Sequence, residues 1–135
     1  MNAPLHSALL RPQDAQALLE AHHEVFGSQI GAAWYEWKYV QSGGVGMGLW
    51  QGPTLVAHCG GVPRSLWHQG RGIKGLQIGD VMVRPAWRGM GRRSGAFYRV
   101  SQALYDTQVG PNKPFEWGFG FPSHRHLKLA QQLDL

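Results

Sequence analysis

The segment KGLQIGDVMVR at residues 74–84 limits the fold more than any other stretch of the chain. Leu76 and Ile78 alternate in one phase, and Val81 and Val83 alternate in the other. A strand presents its side chains with a period of two, so one face cannot hold both pairs unless an extra residue intervenes. A β-bulge at Gly79-Asp80 supplies that residue. Pro85 stops the strand, and the glycine- and arginine-rich run Val83 to Gly95 (VRPAWRGMGRRSG) leads into a helix expected over 91–107, with Phe97, Val100 and Leu104 on its buried face. A bulged strand feeding a helix through such a turn demands a sheet covered by helices.

The rest of the chain fits that demand. Residues 5–10 form a short first strand, and Pro12 opens a helix that carries Ala15, Leu18, Leu19, His22 and Phe26 on one face and stops at Gly27. Residues 31–40 (GAAWYEWKYV) read as a second short helix with Ala33, Trp37 and Val40 together. Strands follow at about 47–51, 54–60 and 62–68, with Gly52-Pro53 and Gly60-Gly61 as punctuation. FEWGFGF at 115–121 is a strand whose one face is Phe115, Trp117, Phe119 and Phe121 and whose other face, Glu116, Gly118 and Gly120, is nearly bare. Ser123 caps a final helix. The class is α/β (α+β), a mixed central sheet flanked by helices, in one domain spanning 1–135. With no strand after the last helix, one edge of 115–121 lacks a partner from this chain; a second copy in a homodimer, C-terminal residues of a longer chain, or the final helix would have to cover it.

The net charge of +5 is unevenly placed. Residues 1–50 hold two basic and four acidic side chains, whereas 51–110 hold eight basic and two acidic. Arg84, Arg88, Arg92, Arg93 and Arg99 have no acid among them, a cluster suited to an anionic partner. One cysteine, Cys59, excludes an internal disulfide, and it reads as a buried strand residue. The seven histidines contain no H-x-x-x-H pair, so no metal site is expected. No apolar run is long enough for a membrane span, and MNAPLHSALL lacks the basic start of a signal peptide, so a cytoplasmic protein is expected. Trp34, Trp37, Trp50, Trp67 and Trp117 are expected mostly in the core.

Glycines at a strand-to-helix turn let backbone approach a ligand, and the first helical N–H groups favour negative charge. Arginines add charge-assisted bonds to phosphate oxygens. The turn is therefore read as a diphosphate cradle. A P-loop needs Lys-Ser or Lys-Thr, which is absent, and the dinucleotide pattern G-x-G-x-x-G fails because Gly89-Met90-Gly91-Arg92-Arg93-Ser94 ends in Ser.

Val83-Arg84-Pro85 followed by Arg88-Gly89-Met90-Gly91-Arg92-Arg93 resembles the acetyl-CoA motif of the GNAT N-acetyltransferase superfamily, which is Arg or Gln, two residues, Gly, one residue, then Gly or Ala. Trp34–Tyr39 and Gly120-Phe121-Pro122-Ser123 resemble two further segments of that family. The resemblance implies acetyl-CoA or coenzyme A as cofactor. It implies cofactor contacts at Met82, Val83, Arg88, Gly89, Met90, Gly91, Arg92, Arg93 and Ser94, with the pantetheine arm in a gap beside the bulged strand. It also marks departures. Arg93 stands where the family prefers Gly or Ala, Ala130 stands where a tyrosine acid is frequent, and the family's last two strands are missing, as in a C-terminally truncated chain.

Acetyl transfer to an amine needs a polarised thioester carbonyl and proton acceptors and donors. A backbone N–H near Met82 or Val83 could hold the carbonyl. Asp80, acting through water, is the candidate base, and capping of the bulge amides is its simpler role. His58 or His124 could shuttle a proton, while Tyr98 and Tyr105 read as packing residues. The function expected is acetyl transfer from acetyl-CoA to a primary amine of a small molecule or peptide. The alternative is a non-catalytic coenzyme A-binding module, or a domain fragment of a larger acetyltransferase. Nucleic-acid binding is disfavoured because the arginines gather at one turn.

Overall fold

The computed structural model describes residues 3–89 and 95–135. Strand β1 is Leu5–Leu9, and a 3-10 turn, Pro12–Asp14, leads into α1, Ala15–Phe26. Gly27 ends α1 in the left-handed conformation with φ 65°, where a side chain would be strained. Helix α2, Ala32–Tyr35, continues as a π-helical stretch, Glu36–Gln41. Then come β2 (Val45–Gln51), β3 (Thr54–His68), β4 (Arg71–Val83), α3 (Ala96–Gln108), β5 (Trp117–Gly120) and α4 (His124–Gln132).

The five strands lie in the order β1-β2-β3-β4-β5. The first four are antiparallel, and β5 runs parallel to β4, pairing Trp117–Gly120 with Gly75–Ile78. Parallel neighbours need a crossover, and α3 provides it. On one face, α3 packs Ala96, Val100 and Leu104 against Met47, Leu49, Cys59 and Leu76. On the other, Leu18 and Ala21 of α1 and Tyr35 of α2 pack against Leu55 and Met82. Leu18, Leu49, Leu76 and Leu104 are fully buried. Each contributes about 1.5–3 kcal/mol of transfer free energy.

The bulge lies where the apolar phase slips. Gly60 pairs with Gly79 and His58 with Met82, so Asp80 and Val81 together oppose Cys59. Asp80 takes a φ of 49°, unusual for a residue with a side chain. Ser123 caps α4, its hydroxyl accepting from the His126 N–H at 3.3 Å.

Three expectations are corrected. Gly60-Gly61 does not break a strand, because β3 runs unbroken from Thr54 to His68. The two glycines are small because Cβ atoms there would strike Tyr39, His58 and Leu76. In the second helix Trp37 and Val40 are exposed, and Trp34, Tyr35 and Tyr39 pack inward. The α-helical spacing assumed over 31–40 gives way to a wider turn after Tyr35, which rotates the inward face. Trp37, Trp67 and Trp117 are exposed and not in the core. Trp67 sits near the outer end of the β3–β4 hairpin, and Trp117 stands on the edge strand beside His68 at 4.6 Å.

Candidate active site

The β4–β5 ladder ends at Ile78 and Gly120, but β4 continues to Val83 while the chain after β5 turns away into α4. The strands therefore part next to the bulge. A cleft of about 650 Å³ fills the gap. Its walls are Ile78 to Val81 of β4, Gly118 to Phe121, the Phe97, Ser101 and Tyr105 side of α3, and His126 and Ala130 of α4. Gly79 borders it, and a Cβ added there would meet nothing within 4 Å. A second chamber of about 490 Å³ shares Phe26, Val81, Phe97 and His126 with the first and reaches Arg88 and Gly89. Arg125 and Lys128 of α4 stand on its wall.

The ladder decides which backbone groups face this space. Arg84 N–H donates to the Val56 carbonyl at 2.9 Å. Antiparallel pairs alternate, so Val83, one residue earlier, directs its N–H and carbonyl away from β3 and toward the opened side. Arg88 Nε donates to that Val83 carbonyl at 2.8 Å. Met82 pairs with His58, and its side chain is buried with Leu18 and Leu55. Of the residues assigned to the cofactor, Val83, Arg88 and Gly89 thus lie at the chambers. Met82 lines the second chamber but turns its N–H toward β3. Met90, Gly91, Arg92, Arg93 and Ser94 lie outside the described residues.

The arginine cluster divides by role. Arg84 donates from Nε to the Leu55 carbonyl and pairs with Glu24 of α1. Arg99 donates to the Leu5 carbonyl at 3.1 Å and ties α3 to β1. Both are occupied in holding the fold, which leaves Arg88 as the described member at the second chamber. Arg125 and Lys128 extend its positive charge. They were not singled out from sequence, since nothing in the order of residues shows that α4 returns beside the turn.

Asp80 is the centre of a polar cluster on the α1–α2 face. Its Oδ2 accepts from Tyr39 Oη at 2.5 Å and pairs with Lys38 Nζ at 2.8 Å. Its Oδ1 faces His22 Nε2 at 3.7 Å. Its backbone carbonyl lies 2.8 Å from His58 Nδ1. Burial acts against the ionised carboxylate, but hydrogen bonds from Lys38 and Tyr39 and the Lys38 charge outweigh it, so the pKa lies below the ordinary value. Burial pushes the Tyr39 phenol well up and brings His58 down to about 4. Burial also raises the Cys59 thiol to about 12, so it is no nucleophile at neutral pH. Tyr105, on the cleft wall, is raised to about 12 by burial. Ala130 faces the cleft without a hydroxyl. Among the described residues no group of three or more His, Cys, Asp or Glu side chains could hold a metal. No described helix is long and apolar enough to cross a membrane.

A helix-covered mixed sheet, opened between two parallel strands beside a bulge, is an acyltransferase architecture. The chain belongs to the GNAT acetyltransferase family: the family model described as acetyltransferase (GNAT) domain matches residues 8–121. No curated protein matches the sequence. Among solved structures, the chain is similar to an aminoglycoside N-acetyltransferase in complex with CoA, with TM-score 0.72, 11% identity and coverage of 98% of this chain and 88% of that one. It is also similar to glucosamine-6-phosphate N-acetyltransferase from Arabidopsis thaliana, with TM-score 0.71, 13% identity and coverage of 98% and 91%. A probable N-acyltransferase from Enterococcus faecalis gives TM-score 0.61 at 18% identity, with 78% of this chain spanning 26% of that larger one. Identities this low establish the fold.

Proposed function

We propose that the protein transfers an acetyl group from acetyl-CoA to a primary amine of a small molecule or peptide. The observation that carries this reading is the cleft opened between β4 and β5 beside the Asp80 bulge. Gly79, Gly118 and Gly120 are among its lining residues, and their lack of side chains leaves room for the pantetheine arm. The second chamber offers Arg88, Arg125 and Lys128 to phosphates. The residues present fit the group.

Acetyl-CoA supplies the acetyl group as a thioester. Val83 N–H, turned to the opened side, would donate to its carbonyl oxygen. The backbone of Gly89 to Ser94 and the side chains of Arg88, Arg92 and Arg93 would hold the diphosphate. Asp80, acting through water, draws the proton from the acceptor's ammonium.

Ala130 on the cleft wall favours one second reading, a coenzyme A-binding module without catalysis. The test has three arms: calorimetric titration with coenzyme A, the same with a short oligonucleotide, and turnover against a panel of primary amines. Coenzyme A binding with turnover is expected. Binding without turnover selects the second reading, and oligonucleotide binding alone contradicts both.

A further inference from the structure

Four titratable side chains surround the Asp80 bulge, more than the backbone turn requires. Lys38 and Tyr39 both engage Oδ2, which leaves Oδ1 without a hydrogen bond from either. The group facing Oδ1 is His22 of α1. Its ring is held from three sides: Phe26 at 4.7 Å, Trp34 at 5.2 Å, and Ser28 Oγ, 2.6 Å from Nδ1. Nε2 faces Asp80 Oδ1, and in the tautomer whose Nδ1–H donates to Ser28 Oγ it would turn a lone pair to that side. Phe26, one turn along α1, forms part of the wall of both chambers, and Asp80 borders the larger one.

We propose that His22 is the residue that finally accepts the acceptor's proton, receiving it by way of the free oxygen of Asp80. This rests on the acetyltransferase reading. His58, the other histidine at the bulge, is unsuited: it is fully enclosed, its Nδ1 is spent on the Asp80 carbonyl, and its Nε2 has no hydrogen-bond partner. His22 keeps a partly open side chain, 14% exposed.

The acceptor arrives as an ammonium. One N–H bond breaks, and that proton moves through water to Asp80 Oδ1 and on to His22 Nε2. The freed lone pair forms the C–N bond to the thioester carbon. The C–S bond breaks, its electron pair leaves on sulfur, and the thiolate takes the second proton shed by nitrogen. The imidazolium then returns its proton to solvent. Asp80 faces the imidazolium as a counter-charge, and Oδ2 is kept ionised by Lys38. The charged groups facing His22 are Asp80 from β4 and Lys38 from the π-helical stretch. Burial and Lys38 lower its pKa while Asp80 raises it, and the net lowering keeps the ring neutral and receptive at neutral pH.

The test begins with the imidazole titration of His22, followed by NMR in the full chain. Asp80→Asn should move its pKa down and Lys38→Met should move it up. His22→Gln, checked for a folded circular dichroism spectrum and parental coenzyme A binding, should lower kcat about 100-fold. It should leave KM for acetyl-CoA unchanged and abolish the acidic limb of the kcat/KM profile. Added imidazole should partly restore His22→Ala. An active parent whose His22 titration ignores both substitutions, or a folded His22→Gln variant with parental kcat and pH profile, overturns the proposal. A parent with no turnover against any amine would remove the acetyltransferase reading and the proton-acceptor role with it, whatever the titration shows.

Discussion

His58 is a polar ring at the centre of a sheet, fully buried and with its pKa brought from 6.5 to about 4. The unfolded chain binds a proton below about pH 6.5 that the folded chain refuses until about pH 4. Stability from the neutral ring is therefore complete above that window and falls as pH drops through it. The loss approaches ~3 kcal/mol, at roughly 1.4 kcal/mol per pKa unit. Urea midpoints measured from pH 7 to pH 4 should fall accordingly, and His58→Gln should flatten the slope over this range. A parent midpoint that stays level would contradict the buried neutral ring. Lys38 gives a second prediction at this scale. Its ammonium and the Asp80 carboxylate are both mostly enclosed, with side chains 20% and 11% exposed. Lys38→Met should cost about 3 kcal/mol because it leaves a carboxylate behind, and Asp80→Asn in the same chain should return part of that. Urea unfolding of the two single variants and the double variant measures the coupling, and additive losses would mean the pair contributes nothing jointly.

At the scale of elements, the bulge in β4 depends on its neighbours. Gly60 of β3 lies across from it, and a Cβ there would run into Tyr39 Oη and His58. Gly60→Ala should push Tyr39 off Asp80 and cost about 2 kcal/mol, within the usual range for overpacking. Urea unfolding should show the loss, and a variant as stable as the parent would mean the Tyr39 anchor is loose. The bulge itself was legible in sequence, because a phase slip between Ile78 and Val81 has one simple geometric solution. The order of strands and helices was legible too, through Pro12, Gly27, Pro85 and Ser123 at element ends. The inward face of residues 31–40 was not. Consecutive Lys38 and Tyr39 both reach one carboxylate only because the helix widens after Tyr35, and no α-helical periodicity encodes that. Gly60-Gly61 misled for a related reason: glycine marks a turn in most sequences, but here it marks close approach of side chains from other elements. The candidate site was half legible. Asp80 and the glycine–arginine turn stood out, while His22, Arg125 and Lys128 come to the site through tertiary packing alone.

At the scale of the whole molecule, β5 is the sheet's outer strand among the described residues, and Trp117 and Phe121 beside it are exposed. We propose that a second copy pairs along residues 115–121, since such an edge invites pairing. Sedimentation at micromolar concentration should show a dimer that Phe119→Lys dissociates. A monomer whose 115–121 amides are already protected from exchange would show that this edge is covered within one chain. The central claim is that coenzyme A lies in the cleft between the parted strands, and Gly79 gives it a direct test. A Cβ added there meets no protein atom within 4 Å, and Gly79 lines the cleft, so a larger side chain would take up cleft space. Calorimetric titration of coenzyme A into the parent and into Gly79→Leu is the measurement. Saturable binding by the parent and its loss, by at least about tenfold in Kd (~1.4 kcal/mol), in a folded Gly79→Leu chain is the predicted result. Equal affinity in the two folded proteins would contradict the placement of the cofactor.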